Sequence, residues 1–190
     1  MNSHSNLTET AAQYTSMNRL AEKSHTVFFG SDILSRMQTG ELADSFGLSE
    51  IIYNRSLAGA TLEEATGFLD TCVLELAPQK VFLEIGNADT KQDDFDADTF
   101  LSQYEWMLYT IHCKTHARIY IVSIQEETEA EKKVNGRLKK LAEESGCAFI
   151  DIGKEQEEED GAIRVFEKFV FYLRNGKMSF CDAMMRVTAS

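Results

Sequence analysis

Five short runs rich in Val, Ile and Phe recur along the chain, at 26–29, 50–54, 81–85, 118–123 and 148–152, with longer amphipathic stretches between them. Runs this short and apolar read as strands buried on both faces, and strands separated by helices must cross over rather than turn back. The pattern therefore predicts a three-layer α/β/α sandwich around a five-stranded parallel sheet. Helices are expected near 32–37, 61–76, 98–116 and 127–145, and an N-terminal one over 8–23, capped by Thr8 or Asn6 and packed across the domain. Pro78, the only proline, separates the second of these helices from its following strand, because proline cannot continue a helix. Gly146 stops the 127–145 helix. The acidic run 155–160 reads as an exposed loop, and the apolar stretch 163–185 has no clear period, with a final helix expected near 177–186. One domain over 1–190 accommodates all of this, with 1–25 as its N-terminal helical segment.

Charge and cysteine usage narrow the function classes. A net charge of -12 disfavours nucleic acid and anionic membrane, since either needs a basic surface to displace counterions. No apolar run reaches the roughly 18 residues of a membrane span. The first residues have neither a basic region nor an apolar core, so no secretory leader is read there. Cys72, Cys113, Cys147 and Cys181 form no C-x-x-C pair and read as reduced thiols, which makes a cytoplasmic protein the expectation. No metal-ligand spacing is present and no cofactor is expected; the partner is a small-molecule ligand or another protein.

The first apolar run ends in Gly30-Ser31-Asp32-Ile33. A buried strand running into a tight glycine turn is how α/β hydrolases lift a nucleophile to the top of a sheet. Asn54-Arg55-Ser56-Leu57-Ala58-Gly59-Ala60-Thr61-Leu62 follows the second run, and Gly86-Asn87-Ala88-Asp89 ends the third. These blocks, together with the stretch 135–152, resemble the SGNH hydrolases, also called the GDSL family, across most of the chain. The resemblance implies the flavodoxin-like SGNH-hydrolase fold, carboxylic-ester hydrolysis as the ancestral activity, and a pocket at the C-terminal edge of the sheet.

Measured against that family, the catalytic positions are altered. The family turn reads Gly-Asp-Ser-Ile or Gly-Ser-Ser-Ile, with the nucleophile second after the glycine; that position holds Asp32, and Ser31 stands one place early. Gly59 matches the glycine whose N–H forms part of the oxyanion hole, or it serves only a tight loop, with Thr61 capping the next helix. In the third block Asp89 is in place, but Ala88 stands where the family has its oxyanion asparagine, and Asn87 is the adjacent alternative donor. The family's last block supplies a histidine base. Here the histidines are His4, His25, His112 and His116; aligning Asp182 with the family aspartate leaves Met185 in the base position, and a second register, near 170–173, supplies neither residue. His112 and His116, at i and i+4, lack the glutamate of an H-E-x-x-H motif and read as surface or packing residues.

Three functional readings follow. The leading one is a catalytically degenerate SGNH-like protein that binds a ligand or partner at the ancestral pocket formed by Ser31, Asp32, Gly59, Asn87, Ala88 and Asp89. The alternatives are an active ester or acyl hydrolase with a rearranged site using Ser31, and a module that binds a cation or amine through Asp32 and Asp89, unless those two carboxylates only cap loops. Counting from Gly30 directs the Asp32 side chain toward the Gly59 loop and the backbone near Ala88. Glu84, a charge inside an apolar run, is expected to pair with Arg55 or Arg118.

Overall fold

Strands β1 (Thr26–Gly30), β2 (Ile52–Asn54), β3 (Lys80–Glu84), β4 (Arg118–Val122) and β5 (Ala148–Ile150) pair in the order β2-β1-β3-β4-β5, and every pairing is parallel. They come from a computed structural model that describes residues 3–153 and 160–174. The helices are α1 (Ser3–Asn18), α2 (Thr39–Ser45), α3 (Leu62–Gly67), α4 (Leu69–Cys72), α5 (Ala97–Lys114), α6 (Glu129–Glu144) and α7 (Gly161–Leu173), with 3-10 turns at Ile33–Arg36 and Leu74–Leu76. Among the described residues, no helix is long and apolar enough to cross a membrane.

Strand alternation sorts the core into two unlike halves. Val27, Phe29, Val81, Leu83, Ile119 and Ile121 point to one face and pack under α3, α4, α5 and α6. Phe28, Phe82 and Tyr120 point to the other, where register places them side by side in one row across three strands. Helix α7 covers that aromatic row with Val165, Phe166, Phe169 and Leu173, a helical stripe at i, i+1, i+4 and i+8. Phe169 sits with its ring 5.1 Å from Phe82 and 5.6 Å from Phe28, the latter edge-on, an arrangement that favours aromatic pairs.

Several expectations are corrected. The N-terminal helix begins at Ser3, so Asn6 and Thr8 lie inside it, and it ends at Asn18, where Asn18 Nδ2 donates to the Thr71 carbonyl at 2.7 Å. The stretch 61–76 is not one helix but α3, α4 and a 3-10 turn, broken where Phe68 and Val73 leave helical geometry. Helix α2 was not read in the sequence at all, and α7 occupies the front of the stretch that showed no period. The expected helix at 177–186, with Asp182 and Met185, lies outside the described residues.

Candidate functional site at the Gly30 turn

The strand order reverses between β1 and β3: the chain leaves β1 for β2 on one side and returns to β3 on the other. In open α/β sheets the crevice beyond such a reversal, at the C-terminal ends of the strands, is where ligands bind. Gly30 ends β1 there, directly opposite Glu84 on β3. The sequence reading expected an ion pair for Glu84, and the structure corrects it. Glu84 Oε2 accepts from the backbone N–H groups of Asp32 and Leu34 at 3.0 and 3.4 Å, and Oε1 accepts from Asn87 Nδ2 at 2.6 Å. The carboxylate thus gathers the N–H groups of the turn that follows β1. Its space exists because residue 30 has no side chain: a Cβ there would lie 2.8 Å from Glu84 Oε2 and 2.8 Å from Leu34 Cβ. Burial pushes the Glu84 carboxyl up to about 8, against the opposing pull of those three donors.

The block after β2 holds the same turn from the other side. Ser56 Oγ accepts from Gly30 N–H at 3.0 Å, and Asn54 Nδ2 donates to the carbonyls of Leu34 and Met37 at 2.7 and 3.1 Å. Arg55, buried, has its guanidinium between the rings of Tyr14 and Tyr53, at 5.1 and 5.2 Å, and donates to Asn18 Oδ1. Tyr14 Oη donates to the Ser56 carbonyl at 2.7 Å, so α1 is pinned across this block. The Asn-Arg pair thereby anchors the turn and the N-terminal helix.

Against this frame each residue of the expected pocket has a definite place. Ser31 is 4% exposed, and its Oγ is buried without a hydrogen-bond partner among the described residues. Its carbonyl accepts the Gly59 N–H at 2.7 Å, so the donor that would face an oxyanion is engaged with the chain itself. Gly59 adopts φ 74°, a conformation that favours glycine, with open space where a Cβ would be. Asp32 sends its carboxylate along its own 3-10 turn to Arg36 Nη2 at 3.0 Å. Asn87 bridges two strands, donating to Glu84 and accepting from the Gln125 N–H at 2.9 Å. Ala88 presents no side-chain donor. Both oxygens of Asp89 lie near the Leu62 N–H, at 3.0 and 3.1 Å, which caps α3 next to the Thr61–Glu64 capping box. Burial pushes the Asp89 carboxyl up to about 6.

Other titratable groups stand elsewhere. His25 pairs with Glu22 at 3.3 Å, and His112 faces Cys147. No histidine follows His116 within the 190 residues. Among the described residues, no group of three or more His, Cys, Asp or Glu side chains is arranged to hold a metal. Sequence reasoning missed the roles of Glu84, Asn54 and Ser56; the one signal was a charge beside an otherwise apolar strand, opposite a glycine.

No protein-family model matches this sequence, and no curated protein matches it. Solved structures do. A Streptococcus pneumonia protein provisionally described as a platelet activating factor superposes with a TM-score of 0.76 at 19% identity, covering 89% of this chain and 93% of its own. A GDSL-like lipase from Bacteroides thetaiotaomicron gives 0.72 at 13% identity, with 88% and 98% covered. A provisionally assigned acylhydrolase from Bacteroides fragilis gives 0.71 at 15%, with 87% and 95% covered. The chain has the SGNH-hydrolase fold over nearly its whole length.

Proposed function

We propose that this chain is a non-hydrolytic protein on the SGNH-hydrolase fold that acts by binding a small ligand or a protein partner at the C-terminal edge of its sheet. The observation that supports this reading is that the groups an acyl transfer needs at that edge are either buried or engaged within the chain. Ester hydrolysis requires an activated nucleophile, a base within about 3.2 Å of it, and donors aimed at the developing oxyanion. Ser31 Oγ is buried and has no hydrogen-bond partner among the described residues. The carboxylate at the family's nucleophile position is paired with Arg36, and the Gly59 N–H is held by the Ser31 carbonyl. Removing one oxyanion donor costs about 10²- to 10³-fold, and losing a triad member about 10⁴-fold or more. Their combined absence leaves turnover at the uncatalysed level.

Among the described residues nothing favours the rearranged hydrolase, since none of them pairs with the Ser31 hydroxyl, or the cation and amine module, since Asp32 and Asp89 each have their own internal partner. The test is turnover of short p-nitrophenyl esters by the wild-type chain and by Ser31→Ala, expected to equal the buffer rate in both. Turnover that vanishes in Ser31→Ala overturns the proposal. The triple variant Ser31→Asp, Asp32→Ser, Ala88→Asn should fold and stay nearly inactive, because its restored serine still has no base.

A further inference from the structure

Helix α5 turns one face to the core and leaves an aromatic one in solvent. Its buried stripe is Phe100, Tyr104, Met107, Leu108 and Ile111. On the opposite side stand Ser102, Trp106, Tyr109 and Cys113, exposed and spaced at i, i+4, i+7 and i+11 as one helical stripe. Trp106 is 57% and Tyr109 66% exposed, one turn apart, and the Cys113 thiol hydrogen-bonds Tyr109. Trp and Tyr are the residue types that carry most interface energy, each joining a large apolar body to a polar tip. Charge along the same stretch is divided. Residues 93–105 hold Asp93, Asp94, Asp96, Asp98 and Glu105 and no base, whereas 106–118 hold His112, Lys114, His116 and Arg118 and no acid. The helix dipole favours acid in the first turn and base in the last, but Glu105 lies more than two turns in and Arg118 beyond the end. A surface acidic at one end, basic at the other and aromatic between is complementary to itself when turned end over end, the relation within a two-fold dimer. We propose that the Trp106–Tyr109 face of α5 docks against the same face of a second copy of this chain, with the two helices antiparallel.

Symmetry fixes the register. With the two-fold axis midway between Met107 and Leu108, Trp106 of each copy meets the partner's Tyr109, and Ser102 meets the partner's Cys113. Each acidic half then lies over a basic half, whereas parallel packing would set acid on acid and base on base. Packed helix axes about 8–10 Å apart, each carrying its Cα atoms at a radius of about 2.3 Å, bring Ser102 and the partner's Cys113 to a Cα separation of about 5 Å. The two copies of Cys113 are eleven residues apart along the paired helices, about 16 Å. Ser102 and Glu105 also line a groove of about 290 Å³ whose far wall is Lys140 and Glu144 of α6, which gives the interface a polar rim. One helix face and its rim are smaller than the roughly 800 Å² per partner of a standard interface, so the dimer is a weak one, with a dissociation constant on the order of micromolar or above.

Sedimentation equilibrium of the full chain under reducing conditions, from micromolar to millimolar, tests this. The expected result is a mass that rises from one chain toward two. Trp106→Ala and Tyr109→Ala should each weaken association by about tenfold or more, and Lys114→Glu by about two- to fivefold. Ile163→Ala, an exposed apolar residue of α7 on the other side of the sheet, should leave it unchanged. Circular dichroism confirms that each variant is folded. The register is read by mild oxidation of Ser102→Cys, which should give a covalent dimer whose cross-linked peptides join positions 102 and 113. Wild type should give no Cys113–Cys113 bond, because a disulfide spans Cα atoms less than about 7 Å apart. A single-chain mass at every concentration overturns the proposal and leaves the face to a different protein. Undiminished association in Trp106→Ala and Tyr109→Ala, or an equal loss in Ile163→Ala, overturns the surface. A Cys113–Cys113 bond in wild type overturns the antiparallel register.

Discussion

Glu84 makes the fold's stability depend on pH across a window that ordinary carboxylates leave flat. Its folded-state pKa, about 8, stands above its ordinary value of 4.5. Below pH 4.5 both folded and unfolded chains hold the proton. Between 4.5 and 8 the folded chain alone holds it, so stability falls as pH rises, by at most about 1.4 kcal/mol per unit, and above 8 the loss is complete. Asp89 acts in the same direction, but its window closes near its raised value of about 6. The interval from pH 6.5 to 8.5 therefore isolates Glu84, and integrating its titration there gives a loss of about 2 kcal/mol. Glu84→Gln removes that slope. It also costs stability at the acid end, about 1–3 kcal/mol, because an amide nitrogen cannot accept the Asn87 Nδ2–H, whereas a protonated carboxyl oxygen still can. The two stability curves should thus converge as pH rises. The measurement is urea unfolding at fixed ionic strength from pH 5 to 9, followed by far-ultraviolet circular dichroism because the single tryptophan, Trp106, is exposed. Equal slopes in wild type and Glu84→Gln between pH 6.5 and 8.5 would refute the reasoning.

Two glycines at the site separate crowding from backbone strain. Gly30→Ala drives a Cβ to within 2.9 Å of the Glu84 backbone carbonyl and should destabilise by about 1–3 kcal/mol, whereas Gly59→Ala meets open space and should cost only the left-handed backbone penalty, about 1–2 kcal/mol; equilibrium unfolding orders the two. Phe169→Ala removes the ring at the centre of the aromatic row and should cost about 3–5 kcal/mol, read as a drop in melting temperature. Asp89→Ala uncaps α3 and should cost about 0.5–2 kcal/mol at pH 8, with faster amide exchange at Leu62 as the local signature.

The elements that could be read in the sequence are those whose patterning is local. All five strands lie within two residues of their expected ends, because each is built around a short apolar run that the sheet buries at least in part. Helices α5 and α6 were visible by their period, and the Thr61 cap by its chemistry. Helix α7 was hidden because Ile163 and Val170 add apolar residues beside its buried stripe and blur the period, and α2 because seven residues carry too little pattern to see.

At the site, the differences on which the proposed function rests were already in the residue order: Asp32 and Ala88 at the positions the family resemblance gives to serine and asparagine, and no histidine between His116 and residue 190. Only the tertiary structure decided where the remaining polar groups turn. Residues 30 and 84 are far apart along the chain, and it is parallel register that brings them side by side. A buried carboxylate then takes whichever donors surround it, which are the backbone N–H groups of the turn rather than the arginines its charge suggested. Sequence carries side-chain chemistry; the pairing of strands decides which backbone groups that chemistry meets, since every residue offers the same N–H and C=O and only geometry distinguishes them.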